Sequence, residues 1–161
     1  MRSASEISAP KAASLGDLPE WDLRDLYPAI DSAELKRDLE RADADAKRFS
    51  DDWKGKLSIA ASNDQLGEAV RQYEVLEELL SRIMSFASLT YAGETANPAK
   101  AKFYGDMQQK LTDISSHLLF FTLELNKIDD AVMEAALEDA QFGYYRPWIE
   151  DLRKGKPSQL E

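Results

Sequence analysis

One histidine, His117, and several pairs of adjacent carboxylates are the residues of this 161-residue chain whose types could support chemistry. Imidazole and carboxylate groups bind zinc or transfer protons when several of them face one site. Asp113 precedes His117 by one helical turn, so the two side chains could form an exposed ion pair. A zinc site usually takes three or four ligands, and no helical spacing gathers further carboxylates around His117. We therefore interpret His117 as a helix-surface or partly buried residue.

Other metal chemistry lacks its ligands as well. Helical bundles that bind two iron atoms use a Glu-x-x-His motif twice, but Ile114 stands three positions before His117. The chain contains no cysteine, which excludes a disulfide scaffold, a thiol nucleophile and a thiolate metal site within it. The hypothesis of a helical metal-binding protein is therefore weakened.

The adjacent acidic residues form no obvious catalytic pair. General acid–base catalysis needs two carboxyl groups that face one cleft in contrasting environments, whereas neighbouring residues on a helix point in different directions. Exposed helix faces and N-caps explain these pairs better. The pairs considered are Asp51-Asp52, Glu77-Glu78, Asp129-Asp130 and Glu150-Asp151. Glycine-rich phosphate loops and the G-x-S-x-G nucleophile elbow do not occur.

The densest aromatic cluster lies at Tyr144, Tyr145, Arg146, Pro147 and Trp148. It allows two interpretations. One is a ligand-contact or domain-docking surface on which the arginine stacks against a ring. The other is a structural corner between two helices, which the preceding glycine and the proline within the cluster would suit as turn residues. We favour the corner.

Apolar residues recur every three or four positions, which predicts an all-α fold of about five helices in an antiparallel bundle or array. The first helix should begin at Asp31, with Glu34 completing a capping box, and its apolar stripe ends at Trp53. A second helix should run from residue 63 or 64 to Gly93, a length of roughly 42 Å at 1.5 Å per residue.

Asn97 and Pro98 are suited to the N-cap and first position of a third helix, which the apolar spacing extends to Ile128. Its length of about 45 Å matches that of the second helix, which predicts a long central antiparallel hairpin. Asp129 should cap a fourth helix that stops at residue 143. Pro147 should start a short fifth helix that ends near residue 155.

The beginning of the chain differs in composition from the rest. Residues 1–17 are rich in Ala and Ser and are predicted to be a disordered lead-in, whereas residues 18–161 should form a single helical domain. Within the segment 18–28, four apolar side chains should dock the chain onto the helices. They are Trp21, Leu23, Leu26 and Tyr27.

The formal charge of −10 argues against several partner classes. Nucleic-acid affinity comes largely from cations that neutralise phosphates, and an anionic membrane surface attracts basic segments for the same reason. No apolar run reaches the roughly 18 residues that a membrane helix needs, and no secretory h-region is present. The absence of cysteine fits a cytoplasmic location.

Four strings are distinctive enough to indicate a family. They are LPEWDLRDLYP at 18–28, YAGETANP with KFYGDM at 91–107, LLFFTLELNKIDD at 118–130 and YYRPWIEDLRKGKPSQLE at 144–161. Together they resemble the N-terminal helical region of oligoendopeptidase F, a zinc metallopeptidase of the thimet-oligopeptidase superfamily. None of these strings is a catalytic signature.

The resemblance implies an almost wholly helical, bowl-shaped enzyme whose deep channel admits short peptides and excludes folded proteins. In such enzymes two histidines of a His-Glu-x-x-His motif and a further glutamate hold the zinc, and the glutamate of the motif activates the attacking water. No position of this chain matches those residues, so no catalytic, cofactor-binding or metal-binding residue is assigned. The implied role of this region is to form part of the channel wall.

These considerations predict that the chain is the N-terminal part of a larger zinc peptidase, lacks the catalytic domain and is inactive alone. Its closing polar segment, KGKPSQLE, lies where family chains continue. Apolar surface that the catalytic domain would cover is then expected at residues 118–125 and 144–148. Such a surface could drive self-association. The alternative is a free-standing, non-catalytic helical interaction module.

Overall fold

The computed structural model of the chain describes residues 22–155. The predicted lead-in at 1–17 and Trp21 lie outside these residues. Within them the fold is all-α, as predicted, with no strand and with eight helices, five of which have nine or more residues. The helices are α1 (Ala33–Trp53), α2 (Leu57–Ser62), α3 (Leu66–Gly93), α4 (Pro98–Ser116), α5 (Leu119–Lys127), α6 (Asp130–Ala136), α7 (Ala140–Gly143) and α8 (Arg146–Lys154).

Helix α1 begins one residue later than predicted. Ser32, not Asp31, is the N-cap, and its side chain accepts a hydrogen bond from the backbone N–H of Leu35. Glu34 is therefore the second helical residue and cannot complete the predicted capping box, which needs the third position. The predicted apolar stripe does face the core, since its members are buried or partly buried.

A short helix, α2, was not predicted. It occupies residues 57–62, and the expected start of the next helix at Asn63 or Asp64 is wrong for that reason. Asn63 ends α2, and Asp64 adopts a left-handed conformation with φ of 56° in the turn before α3. Aspartate is one of the few residues that tolerate this conformation.

The central hairpin is antiparallel, as predicted. Two ring contacts show its direction, because the partner that lies earlier on α3 lies later on the second arm. Phe86 packs on Phe103 at a centroid separation of 6.0 Å, and Tyr73 packs on Phe121 at 4.6 Å. Helix α3 packs mainly on α4 and α1. The N-cap at Asn97 is confirmed, since its side chain accepts the N–H groups of residues 99 and 100.

The second arm of the hairpin is two helices rather than the single one predicted. Helix α4 ends at Ser116, and α5 begins at Leu119. Around the break the backbone forms tighter bonds spanning three residues, from His117 N–H to Ile114 and from Leu118 N–H to Ser115. The hydroxyl of Ser116 also donates to a backbone carbonyl, that of Asp113, which competes with regular helix geometry.

The predicted fourth helix is likewise divided. Asp129 caps α6 as predicted, accepting the N–H groups of Ala131 and Val132. However, α6 ends at Ala136, and Asp139 caps a separate short helix, α7, that ends at the predicted stop. A second aspartate cap within the segment starts a new turn. Helix α8 begins one residue before the predicted Pro147, with the proline inside its first turn.

The segment before α1 is docked through Tyr27. Its buried phenol donates to Asp38 at 2.6 Å, and the guanidinium of Arg82 lies 5.1 Å from the ring centroid. Leu23 and Leu26 pack partly buried against the core, so the anchoring prediction is confirmed for the described part of this segment. One continuous core links the helices. No helix within residues 22–155 is both long and apolar enough to cross a membrane.

Candidate functional site

A groove of about 580 Å³ lies between α3, α5 and α8, and we call it the aromatic groove. Its volume falls within the range of small-molecule and peptide pockets. Side chains of three helices and of the corner before α8 line it. They are Val70, Tyr73, Glu74, Glu77, Thr122, Tyr144, Tyr145, Pro147, Trp148 and Leu152.

Tyr73 forms the floor of the groove. Its ring stacks on Phe121 at 4.6 Å and on Trp148 at 6.2 Å, with interplanar angles of 28° and 30°. Burial and the charge and hydrogen bonding of Glu77 raise the pKa of Tyr73 from 10.0 to about 12. Its phenol therefore remains neutral throughout the physiological range.

The wall opposite α3 is the corner between α7 and α8, which confirms the structural interpretation of residues 144–148. Gly143 is required there, since a Cβ would lie 2.7 Å from the carbonyl oxygen of Leu137. The corner also contacts α3, because the phenol of Tyr145 donates to Glu74 at 2.9 Å. Tyr144 stands at right angles to its neighbour and is 79% exposed. One segment thus serves as both a corner and a lining of the groove.

One interpretation of the cluster predicted that Arg146 stacks on an aromatic ring, and the structure shows no such contact among the described residues. Arg146 instead bridges α6 and α8, pairing with Glu134 at 2.8 Å, Glu138 at 3.6 Å and Glu150 at 3.9 Å. These carboxylates hold the guanidinium outside the lining of the groove. In the part of the chain that the structure describes, Glu74 and Glu77 line the groove and no lysine or arginine does.

Helix α5 is buried on one side and exposed on the other. The expected apolar surface at 118–125 is exposed at Leu119 and Leu123, by 63% and 46% respectively. The other apolar residues of the segment are buried in the core. The helix end is held by Arg153, whose guanidinium donates to the carbonyl oxygens of Leu125 and Ile128 and pairs with the Asp130 carboxylate.

The structure does not assemble a site from the residues first considered for chemistry. His117 is the partly buried C-cap of α4, and Asp113 accepts from the amide of Gln109 at 3.0 Å. Asp51 and Asp52 are exposed at the end of α1. Glu78, Glu150 and Asp151 are likewise exposed on their helices, whereas Glu77 lines the groove. Asp129 caps α6, and Asp130 pairs with Arg153, as described above. Within residues 22–155, no three His, Cys, Asp or Glu side chains are placed to hold a metal ion. The described residues thus do not fit a zinc ion.

Sequence reasoning missed most of the groove. The sequence analysis assigns no site role to Tyr73 or Glu74, both of which line the groove. A signal was present, since Tyr73, Glu74 and Glu77 lie within about one turn of α3 and share one sector of its surface. Nothing in the sequence indicated that the corner 70 residues away would complete that sector.

The sequence profile of a family described as Oligopeptidase F matches residues 124–161, which is about a quarter of the chain. The match confirms over those residues the resemblance that the sequence suggested, and it includes the corner, α8 and part of α5. The strings at 18–28 and 91–107 lie outside it. No functionally curated protein and no solved structure has detectable similarity to the chain.

Proposed function

We propose that this chain is the N-terminal, channel-wall part of an oligoendopeptidase F-like zinc metallopeptidase that hydrolyses short peptides. The observation that carries the proposal is the family match over residues 124–161. That segment supplies the corner and the α8 side of the aromatic groove. In this role the chain positions peptide and contributes no metal ligand, and the zinc belongs to the longer parent protein.

Exposed apolar side chains support the same proposal. Leu119, Leu123 and Tyr144 lie on or beside the matched segment and remain largely open to solvent. We propose that the catalytic domain of the parent covers this surface, which the isolated chain leaves available for self-association. The acidic surface makes nucleic acid and anionic membranes unsuitable partners. We place the protein in the cytoplasm because it contains no cysteine.

Activity of the purified chain tests the proposal. We expect no hydrolysis of internally quenched peptides of five to ten residues, with or without added zinc, because the chain has only one imidazole. Zinc-dependent cleavage that a chelator abolishes would contradict the assignment of the metal site to another part of the parent. A catalytically dead variant is unnecessary here; the matched control is the same preparation after chelation.

The continuous core of residues 22–155 favours one alternative, a free-standing helical interaction module, because such a core can stabilise a domain without a partner. The two functions differ in the gene. An in-frame sequence after the Glu161 codon that encodes His-Glu-x-x-His supports the peptidase. A stop codon at that point supports the module.

A further inference from the structure

Among residues 22–155, the lining of the aromatic groove contains two carboxylates and four aromatic rings but no lysine or arginine. The rings belong to Tyr73, Tyr144, Tyr145 and Trp148, and the carboxylates to Glu74 and Glu77. The whole chain carries a formal charge of −10, which has the same sign as the two carboxylates of the groove. A ligand that complements this lining must be positively charged and must offer an apolar or planar face.

Aromatic faces attract cations through their quadrupoles, and tryptophan and tyrosine do so most strongly. Two rings of the groove are accessible to a ligand, since Tyr144 is largely exposed and Trp148 is partly exposed. The carboxylates keep acceptor capacity. Glu74 accepts one bond from Tyr145, and an ionised carboxylate has about four acceptor positions.

We propose that the aromatic groove binds the side chain of an arginine-containing peptide. A planar guanidinium stacks on an aromatic ring and donates in a fork to carboxylates, which a compact ammonium does less well. If the chain is part of a peptidase, as proposed above, this inference identifies cationic peptides as the substrate class; in that respect it rests on the proposed function. Binding itself requires only the 161-residue chain.

Nuclear magnetic resonance of the full chain can locate the binding. The probe is the neutral-capped tripeptide acetyl-Ala-Arg-Ala-amide, and the matched ligand replaces arginine with citrulline, which keeps the shape and removes the charge. We expect the indole N–H signal of Trp148 to shift saturably with the arginine peptide. The indole N–H signal of Trp53, which donates to Gln72 outside the groove, should not shift. The citrulline peptide should bind at least about tenfold more weakly, as expected for a desolvated cation–aromatic contact.

Two substitutions and one control test the lining. Tyr144→Ala and Glu77→Gln should each weaken the arginine peptide about three- to tenfold. Tyr144 is exposed, so the fold tolerates its loss. Glu78→Gln removes the same charge from an exposed neighbour outside the groove, and should change affinity by less than about twofold.

Several outcomes would overturn the inference: no shift of Trp148 at millimolar peptide, equal affinity for the citrulline peptide, or equal losses in Glu77→Gln and Glu78→Gln. A shift of Trp148 that depends on protein concentration without peptide would show that a second copy occupies the groove instead. The two proposals fail separately. If the arginine peptide binds and a stop codon follows the Glu161 codon, the groove assignment stands and the peptidase proposal fails. If the downstream sequence encodes His-Glu-x-x-His and the arginine peptide does not bind, the peptidase proposal stands and the groove assignment fails.

Discussion

The carboxylate of Glu124 accepts the backbone N–H of Gly55 through both oxygens, at 2.8 and 3.0 Å, although 69 positions separate the two residues. Gly55 lies in the turn between α1 and α2 and has a φ of +77°, a conformation that favours glycine. Its N–H follows the end of α1 and needs an acceptor. Glu124 of α5 supplies that acceptor, which connects the turn between α1 and α2 to the segment that the family profile matches.

Replacing Glu124 with alanine should lower the free energy of unfolding by about 1–2 kcal/mol, because a charge-assisted hydrogen bond is lost and the Gly55 N–H must find water. Urea denaturation monitored by circular dichroism measures the change. Glu78→Ala on the exposed side of α3 is the control, and it should stay within about 0.5 kcal/mol of wild type. Equal losses in the two variants would show that the contact contributes nothing specific.

Two glycine-to-alanine substitutions should act in opposite directions. In Gly143→Ala the new Cβ would lie 2.7 Å from the carbonyl oxygen of Leu137, so the corner must move, and we expect a loss of about 1–3 kcal/mol. In Gly105→Ala the Cβ meets nothing within 4 Å on the exposed face of α4, and alanine should stabilise the helix by about 0.5–1 kcal/mol. Thermal unfolding of both variants provides the comparison; a stabilised Gly143→Ala would disprove the packing of the corner.

Stability should fall between pH 10 and pH 12 in a manner that depends on Tyr73. Its pKa is raised from 10.0 to about 12, first by burial and then by Glu77. The neutral phenol therefore stabilises the fold fully below pH 10, and this contribution is lost as the pH rises toward 12. Urea midpoints measured across this range should fall less steeply in Tyr73→Phe than in wild type. Parallel curves for the two proteins would count against the buried phenol as the cause.

The isolated chain should self-associate through α5. Leu119 and Leu123 lie one turn apart on its exposed face, and burial of one leucine is worth about 1.5–3 kcal/mol. The double variant Leu119→Lys and Leu123→Glu keeps the net charge and should weaken association at least about tenfold in sedimentation experiments. Val75→Lys, an exposed apolar position on α3, should leave association unchanged. A wild-type chain that stays monomeric at high concentration would refute the prediction.

Helix boundaries were predictable where one residue carries the signal. Asn97 and Asp129 cap their helices through their own side chains, and Gly93 ends α3, as the sequence indicated. Predicted helix boundaries were wrong where two nearby residues can both act as the N-cap. Asp31 and Ser32 are both good caps and the structure uses the serine, while the second aspartate cap at Asp139 divides a helix that periodicity alone would continue.

The sequence by itself determined the helical class, the apolar faces, the hairpin and the shortage of metal ligands, because these depend on residue types and on spacings of a few positions. Only the tertiary structure decided the aromatic groove and the contact between Glu124 and Gly55. Each joins residues about 70 positions apart, and no local pattern encodes such a distance. Helix packing determines both contacts. The Phe121 side of α5 is buried against Tyr73, which leaves Leu119 and Leu123 exposed to solvent. The packing of the corner on α3 brings Tyr145 to Glu74.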